Sequence, residues 1–170
     1  MDPAELLRRG FTRETAVRRD RKGRWFDGDE PITHPRLVGK LDAWIDRAPD
    51  GRFCLSNDIN WAFVEIEGAP YFVRGVRIAD GEVLLRLSGG EEEILDPKTL
   101  RLDGHDALWC DVRGGRVPAR FERTAMHQLA AVMEEDEEGP FFRIKASKVR
   151  PPVMADPMST WSPERGHVES

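Results

Sequence analysis

The sequence has only two cysteines, Cys54 and Cys110, and no apolar run near the ~18 residues that a membrane-spanning helix requires. Two cysteines exclude the multi-bridge framework of small secreted domains. Residues 1–5 lack the positively charged start and the long apolar stretch of a signal peptide. We therefore expect a cytoplasmic protein with reduced thiols and no membrane contact.

Motifs for metal binding and catalysis are also scarce. The histidines are scattered along the chain, at His34, His105, His127 and His167, whereas zinc sites use closely spaced ligands. Adjacent carboxylates occur inside acidic runs such as residues 91–93, a pattern typical of solvated faces. The glycine pairs at 89–90 and 114–115 lack the Lys and Ser or Thr of a phosphate-binding loop. The sequence therefore predicts a non-catalytic protein without a metal or cofactor.

An enzyme is kept as an alternative, with Cys110 as nucleophile, His127 as base and Asp111 as the carboxylate, because nucleophilic catalysis needs such a set. His105 joins Cys110 and His127 in the corresponding zinc hypothesis. Cys110 follows Trp109 in a predicted strand, however, and cysteine is often a small buried apolar residue. A structural cysteine is the expectation.

Charge is spread unevenly along the chain. The net charge is −5, but residues 1–24 carry +4 and the remainder −9. The overall negative charge argues against nucleic acid as a partner of the main body, since phosphate neutralisation needs clustered Lys and Arg. We expect residues 1–22 to be a basic arm in the form of a solvated, frayed helix. Contact of this arm with phosphate, with an acidic partner or with a second copy of the chain is the alternative.

Periodicity predicts an α+β fold with an antiparallel β-meander flanked by two repeated β-α-β units, each with one amphipathic helix. The predicted meander comprises strands at 71–78, 83–87 and 91–95, and residues 61–66 are predicted to be a central strand. The predicted organisation begins with a basic arm at residues 1–22 and an N-terminal α+β repeat with the meander at 23–87. A C-terminal α+β repeat at 88–149 and a disordered tail at 150–170 follow.

The repeat rests on two similar segments. Trp25-Phe26-Asp27 precedes an apolar stripe predicted to be a helix up to about Arg47, and a strand at Phe53 follows. Trp109-Cys110-Asp111 likewise precedes a second predicted helix, and a strand at Phe142 follows. The Trp-to-Phe separations of 28 and 33 residues differ by an amount that loops absorb easily. Chance similarity is the alternative, because strand–helix–strand patterns are common.

The order of aromatic and turn residues resembles a bacterial family named domain of unknown function 1285 (DUF1285). The resemblance covers roughly Val17 to Ile144 and depends on Gly23-x-Trp25-Phe26, Pro31-Ile32, Leu37-Val38, Gly51-x-Phe53, Pro70-Tyr71-Phe72, Leu108-Trp109-Cys110-Asp111-Val112 and Ala119-Arg120-Phe121. It implies a two-part α+β fold with repeated motifs and a role in signalling, and it carries over no catalytic residue. The chain departs from the family at residues 56–60, where relatives tend to have a Thr-Pro turn.

By elimination, the sequence favours a binding or regulatory module for a small ligand or a protein partner. We expect a pocket for a small anion or an aromatic ligand near the turns of the central sheet, with these candidate residues: Asp58, Asn60, Trp61, Arg74 and Arg77. The alternative places Trp61 in the core and both arginines on a solvent face. An edge strand at 91–95 would allow a homodimer, although its glutamates oppose this.

Overall fold

The computed structural model of the chain describes residues 13–57 and 61–159, and strands predominate over helices in these ranges. Two α-helices lie there, α1 (Pro35–Trp44) and α2 (Arg123–Leu129), with short 3-10 turns at Pro97–Thr99 and Ala130–Val132. Neither helix is long and apolar enough to cross a bilayer. The predicted mixed α+β class is confirmed.

Sixteen short strands form four sheets within the described residues. The strands are β1 (Val17–Arg19), β2 (Trp25–Asp27), β3 (Glu30–Ile32), β4 (Ile45–Arg47), β5 (Phe53–Ser56), β6 (Trp61–Phe63), β7 (Glu65–Ile66), β8 (Tyr71–Ala79), β9 (Glu82–Leu87), β10 (Glu92–Ile94), β11 (Arg101–Leu102), β12 (Leu108–Val112), β13 (Val117–Phe121), β14 (Met133–Asp136), β15 (Gly139–Ile144) and β16 (Ser147–Val149). The sheet orders are β3-β2-β1-β7, β4-β5-β6, β10-β9-β8-β13-β12-β11 and β14-β15-β16. Paired strands are antiparallel except for β1 with β7 and β8 with β13.

The same order of elements occurs twice. Three antiparallel strands, a helix and three further antiparallel strands form β1–β3, α1 and β4–β6, and again β11–β13, α2 and β14–β16. In each set, a segment from later in the chain runs parallel to the first strand. In the first set β7 pairs with β1, and in the second Val153 forms a parallel bridge with Leu102 of β11. Trp25 is opposite Arg19 in the first set, and Trp109 is opposite Arg101 in the second. The two sets therefore share pairing as well as element order.

Strands β8, β9 and β10 connect the two sets. Each pairs antiparallel with the next, and β8 also joins β13, so all three belong to one six-stranded sheet. The turn between β8 and β9 has positive φ at Asp80 and Gly81, as a two-residue type I′ hairpin requires. The Asp-Gly dipeptide thus fixes the register of the longest strand pair.

Helix α2 packs on the six-stranded sheet through Ala125 and Leu129, which are both fully buried. The register of β8 against β9 shifts between Val73 and Gly75, where a β-bulge interrupts the ladder. Beside this bulge, the N–H of Val76 donates a hydrogen bond of 2.6 Å to Oε1 of Gln128 on α2. One helix side chain therefore satisfies a strand donor and holds helix and sheet together.

Replacing Gln128 by Ala should lower the free energy of unfolding by about 0.5–1.5 kcal/mol, because the Val76 N–H loses this acceptor. Denaturant unfolding followed by circular dichroism measures this change. Gln128→Glu keeps an acceptor at this position, and Thr124→Ala alters an exposed position of the same helix. Both controls should remain close to the parent protein, and an equally stable Gln128→Ala variant would contradict the proposed linkage.

Helix α1 is shorter than predicted. It ends at Trp44, because Ile45 adopts extended dihedral angles (φ −61°, ψ 126°) and pairs with Leu55 as the first residue of β4. The predicted end near Arg47 is therefore wrong. Periodicity could not show this, since Leu41 and Ile45 are four residues apart and both face the core.

The predicted central strand at 61–66 is also wrong. The strand is interrupted at Val64, so that β6 and β7 belong to different sheets, and each lies at the edge of its sheet. The N–H of Val64 donates to the carbonyl of Phe53 at this crossing point. A continuous apolar run had suggested burial on both faces of one sheet.

The arm prediction is wrong for residues 17–19, which form β1 instead of a frayed helix. Arg19 is buried, with 2% of its surface exposed, and its guanidinium donates to the carbonyls of Ala69 and Pro70 and to Asp42. These acceptors compensate part of the cost of removing the charge from water. Residues 1–12 lie outside the described residues.

The predicted disordered tail from residue 150 does not hold for its first part. The N–H of Leu102 donates to the carbonyl of Pro152, and the N–H of Met154 donates to the carbonyl of Leu102, each at 2.8 Å. Arg101 donates to the carbonyl of Pro157. These contacts bind residues 152–157 to the sheet edge, whereas residues 160–170 lie outside the described part of the chain.

The turn between β15 and β16 is strained. Lys145 and Ala146 have φ of 49° and 61°, although neither is a glycine, and left-handed backbone costs an L-residue roughly 1–2 kcal/mol. Lys145 is tied into this turn because its N–H donates to the carbonyl of Gly81. The strain is therefore maintained by contact between two hairpin turns.

Substituting Gly for Ala146 should raise the free energy of unfolding by up to about 1 kcal/mol, because glycine adopts positive φ without steric cost. Thermal and denaturant unfolding measure the effect. The matched control Ala131→Gly, in the 3-10 turn after α2, should destabilise instead. A decrease in stability for Ala146→Gly would show that the turn is not strained.

Candidate functional site

The structure separates the residues predicted to bind a ligand. Asp58 and Asn60 lie outside the described residues. Trp61 lies on β6, where the guanidinium of Arg13 covers its indole at 3.7 Å from the ring centroid. Arg74 and Arg77 are exposed on β8, in another sheet, and Arg77 pairs with Glu92 at 2.7 Å. A binding role for these five positions stays a prediction.

The alternative catalytic pair has contrasting environments. Cys110 is completely buried on β12, and its burial raises the pKa of the thiol. His127 is exposed on α2. Because the thiolate is the reactive form, the surroundings of Cys110 oppose the chemistry that this alternative requires.

A groove between α2 and the β11–β12 turn is lined by basic side chains around an apolar floor. Its cavity volume is about 540 Å³, and its basic residues are His105, Arg120, Arg123 and His127. Its apolar lining includes Leu108, Phe121, Met126, Ala130 and Met133. We call this feature the basic groove. Its mixture of a few charged groups with an apolar surface is typical of small-molecule sites.

Helix geometry places two of the basic residues. Arg123 and His127 are four positions apart on α2 and therefore lie on one face, away from the buried Ala125 and Leu129. Arg120 reaches the groove from the end of β13, where it is opposite Trp109 on β12. Secondary structure thus places three basic residues from two elements around one space.

The turn that carries His105 is fixed by Asp103. The carboxylate accepts hydrogen bonds from the N–H of His105 at 2.8 Å, the N–H of Ala107 at 3.0 Å and Nε1 of Trp109 at 3.0 Å. Desolvation acts to raise the pKa of Asp103, but these hydrogen bonds outweigh it and lower the pKa below its ordinary value. An ionised Asp103 therefore orders this wall of the groove.

The charge of the basic groove is largely uncompensated. Within residues 13–57 and 61–159, none of its four basic side chains forms an ion pair. Asp106 lines the same cavity, and Arg120 acts on Asp103 through space. Two guanidinium groups that form no ion pair in the described residues therefore line this cavity.

The apolar floor has a buried and an open part. Leu108 and Phe121 are 1% and 5% exposed, whereas Met133, the first residue of β14, is 46% exposed. An exposed large apolar residue beside a cavity provides surface that a ligand can cover. The groove therefore offers contacts of two kinds along one helix.

A second cavity, of about 880 Å³, is lined mainly by acidic side chains. Glu92, Glu93, Asp96 and Asp111 line it. Burial raises the pKa of Glu93, and Asp111 pairs with Arg101 at 2.8 Å. In the part of the chain that the structure describes, no three His, Cys, Asp or Glu side chains are grouped to hold a metal ion.

Comparison with solved structures identifies the fold. A DUF1285 family protein from Silicibacter pomeroyi matches with a TM-score of 0.63 and 19% identity, over 81% of this chain and 80% of that chain. A DUF1285 family protein from Shewanella baltica matches with a TM-score of 0.55 and 18% identity, over 71% and 94%. The chain has the DUF1285 fold. Family models and curated proteins give no match.

These matches confirm the DUF1285-like fold that the sequence resemblance implied, and at 18% and 19% identity they show the fold alone. Sequence reasoning missed Arg120, Arg123 and Met126 as a site. The four-residue spacing of Arg123 and His127 on a predicted helix was the available signal, because it marks the face opposite the apolar stripe. Nothing in the sequence places Arg120 and His105 beside that face.

Both thiols should be unreactive in the native protein. Burial raises the pKa of Cys54 to about 12 and also raises that of Cys110, so little thiolate forms near pH 8. A disulfide exchange reagent such as DTNB should label neither cysteine until urea unfolds the chain, and then both. Rapid labelling of Cys110 in the native state would revive the nucleophile alternative.

Proposed function

We propose that the protein is a non-catalytic binding module whose ligand site is the basic groove and whose ligand is an anion. The proposal rests on one observation, the convergence of four basic side chains that lack ion pairs within the described residues. Arg120 and Arg123 carry like charges in the same groove, and a bound anion would interact favourably with both guanidinium groups. Ligand binding is therefore favoured by the groove's own charge.

The chemistry of the groove suits a carboxylate or a phosphate. A guanidinium presents a planar fork of N–H donors that matches two oxygens of either group. Arg120 and Arg123 enter from different elements, so an anion between them would receive donors from two directions. The volume of about 540 Å³ falls within the range of roughly 300–1,000 Å³ typical of small-molecule sites.

The alternative functions have weaker support. Cys110 is buried and its thiol pKa is raised, which opposes a hydrolytic enzyme. For the basic arm, Arg19 is buried and pairs with Asp42 at 3.4 Å, so part of the arm's charge is compensated. A regulatory role in signalling, which the family resemblance implies, would operate through occupancy of the groove.

Removal of two charges tests the proposal. In a thermal-shift screen with organic acids, nucleotides and inorganic phosphate, anions should raise the Tm of the parent protein through mass action. The double variant Arg120→Gln/Arg123→Gln should lose this shift, because it removes both guanidinium groups. The signal should also weaken as salt increases.

The matched control is Arg36→Gln/Lys40→Gln, which removes two cations at the same four-residue spacing from the exposed side of α1. It should retain the full anion-dependent shift. An equal loss in both double variants would mean that only net charge matters, and the groove would not be the site.

We also infer that the two halves of the fold are copies of one unit. Support comes from the shared element order and from the Arg19–Trp25 and Arg101–Trp109 pairs at equivalent positions. The unit is larger than the β-α-β motif expected from sequence, since three strands lie on each side of the helix. The basic groove belongs to the second copy.

A further inference from the structure

We propose that the ligand of the basic groove is a free alkanoate-like amphiphile, with its anionic head between Arg120 and Arg123 and its apolar tail along Met126 and Met133. This inference rests on the proposed function and specifies the ligand class. It follows from the position of the two arginines at the start of α2 and of exposed apolar surface beyond its end, which a small inorganic anion would not use.

Two parallel rows lie on the outer side of α2. Arg123 and His127 form one row, and Met126 with Ala130 forms the next, each at a spacing of four residues. A helix rises about 1.5 Å per residue, so residues 123 to 130 span about 10 Å. The charged and apolar rows are therefore adjacent over the length of a short alkyl chain.

The charged end of the groove is defined by Arg120. This residue lies on the last strand before the helix, close to Arg123 in sequence and opposite Trp109 in the sheet. The other end is Met133, which begins β14 and is 46% exposed. The head of an amphiphile thus meets the cations at one end, and its tail extends toward an open apolar residue at the other.

Methionine suits the tail contact. Its unbranched thioether side chain adapts to flexible apolar groups and is frequent on surfaces that accept varied partners. Covering Met133 and the partly exposed Met126 with an alkyl chain removes apolar surface from water. Each methylene added to the tail should therefore increase the affinity through contact with the apolar row, whereas the arginines contact only the head.

Isothermal titration with hexanoate, octanoate and decanoate, all below their micellar concentrations, separates the two contributions. Burial of a methylene corresponds to about fourfold in affinity when complete, and we expect about twofold per methylene in this open groove. Arg120→Gln/Arg123→Gln should weaken all three ligands by a similar factor of about tenfold or more.

Met126→Gln/Met133→Gln should behave differently. It should bind the short ligand nearly as well as the parent protein and lose most of the gain with chain length. The control Ile94→Gln alters another exposed apolar residue, 53% exposed on β10, and should keep the full chain-length gain. Circular dichroism confirms that each variant is folded before titration.

Three outcomes would overturn the inference. If phosphate binding depends on both arginines but chain length has no effect, the proposed function stands and the alkanoate assignment fails. If the arginine double variant binds alkanoates like the parent protein, both fail. If phosphatidylglycerol vesicles bind in a Met126- and Met133-dependent manner more tightly than free decanoate, the surface is a membrane contact and the free-ligand assignment is wrong.

Discussion

Two buried arginines hold this fold of very short strands together. Arg19 and Arg101 are each 2% exposed, and each lies on the first strand of its set, opposite a tryptophan. Burying a guanidinium is costly unless its donors are satisfied. Arg19 donates to Asp42 and to the carbonyls at residues 69 and 70 through its two terminal nitrogens, while its buried Nε has no partner. Arg101 donates to Asp111 and to the carbonyls of Thr99 and Pro157. Each arginine thereby connects a strand of two or three residues to a segment about 50 residues away in sequence.

The second of these arginines also supports the candidate site. Arg101 orders β11 opposite Trp109, and the indole N–H of Trp109 donates to Asp103 in the following turn. Asp103 accepts from the backbone of His105, which lines the basic groove. A chain of hydrogen bonds and strand pairing thus extends from a buried cation to the groove wall. Such support is what keeps a loop-borne binding residue in a defined position.

Some features of the fold follow from local sequence signals. An Asp-Gly dipeptide favours the two-residue hairpin turn found at Asp80-Gly81, and Ala125 and Leu129, four residues apart, share the buried face of α2. The burial of Arg19 and the break at Val64 depend on partners far along the chain, such as Ala69 and Phe53. No periodicity encodes such contacts. The groove could not be predicted for the same reason, since its walls come from the β11–β12 turn, β13 and α2.

Net charge is a poor guide to what this protein attracts. The chain carries −5 overall, and an acidic run at residues 134–138 begins directly after Met133 at the end of the groove. Much of that run is neutralised locally, because Glu134 pairs with Arg143 at 2.5 Å and Glu138 pairs with Arg150 at 2.9 Å, while Lys148 and Arg150 both hold Asp136. Paired charges produce only a weak field at a distance. The net charge of the chain therefore does not set the charge at the groove, where Arg120 and Arg123 form no ion pair within the described residues.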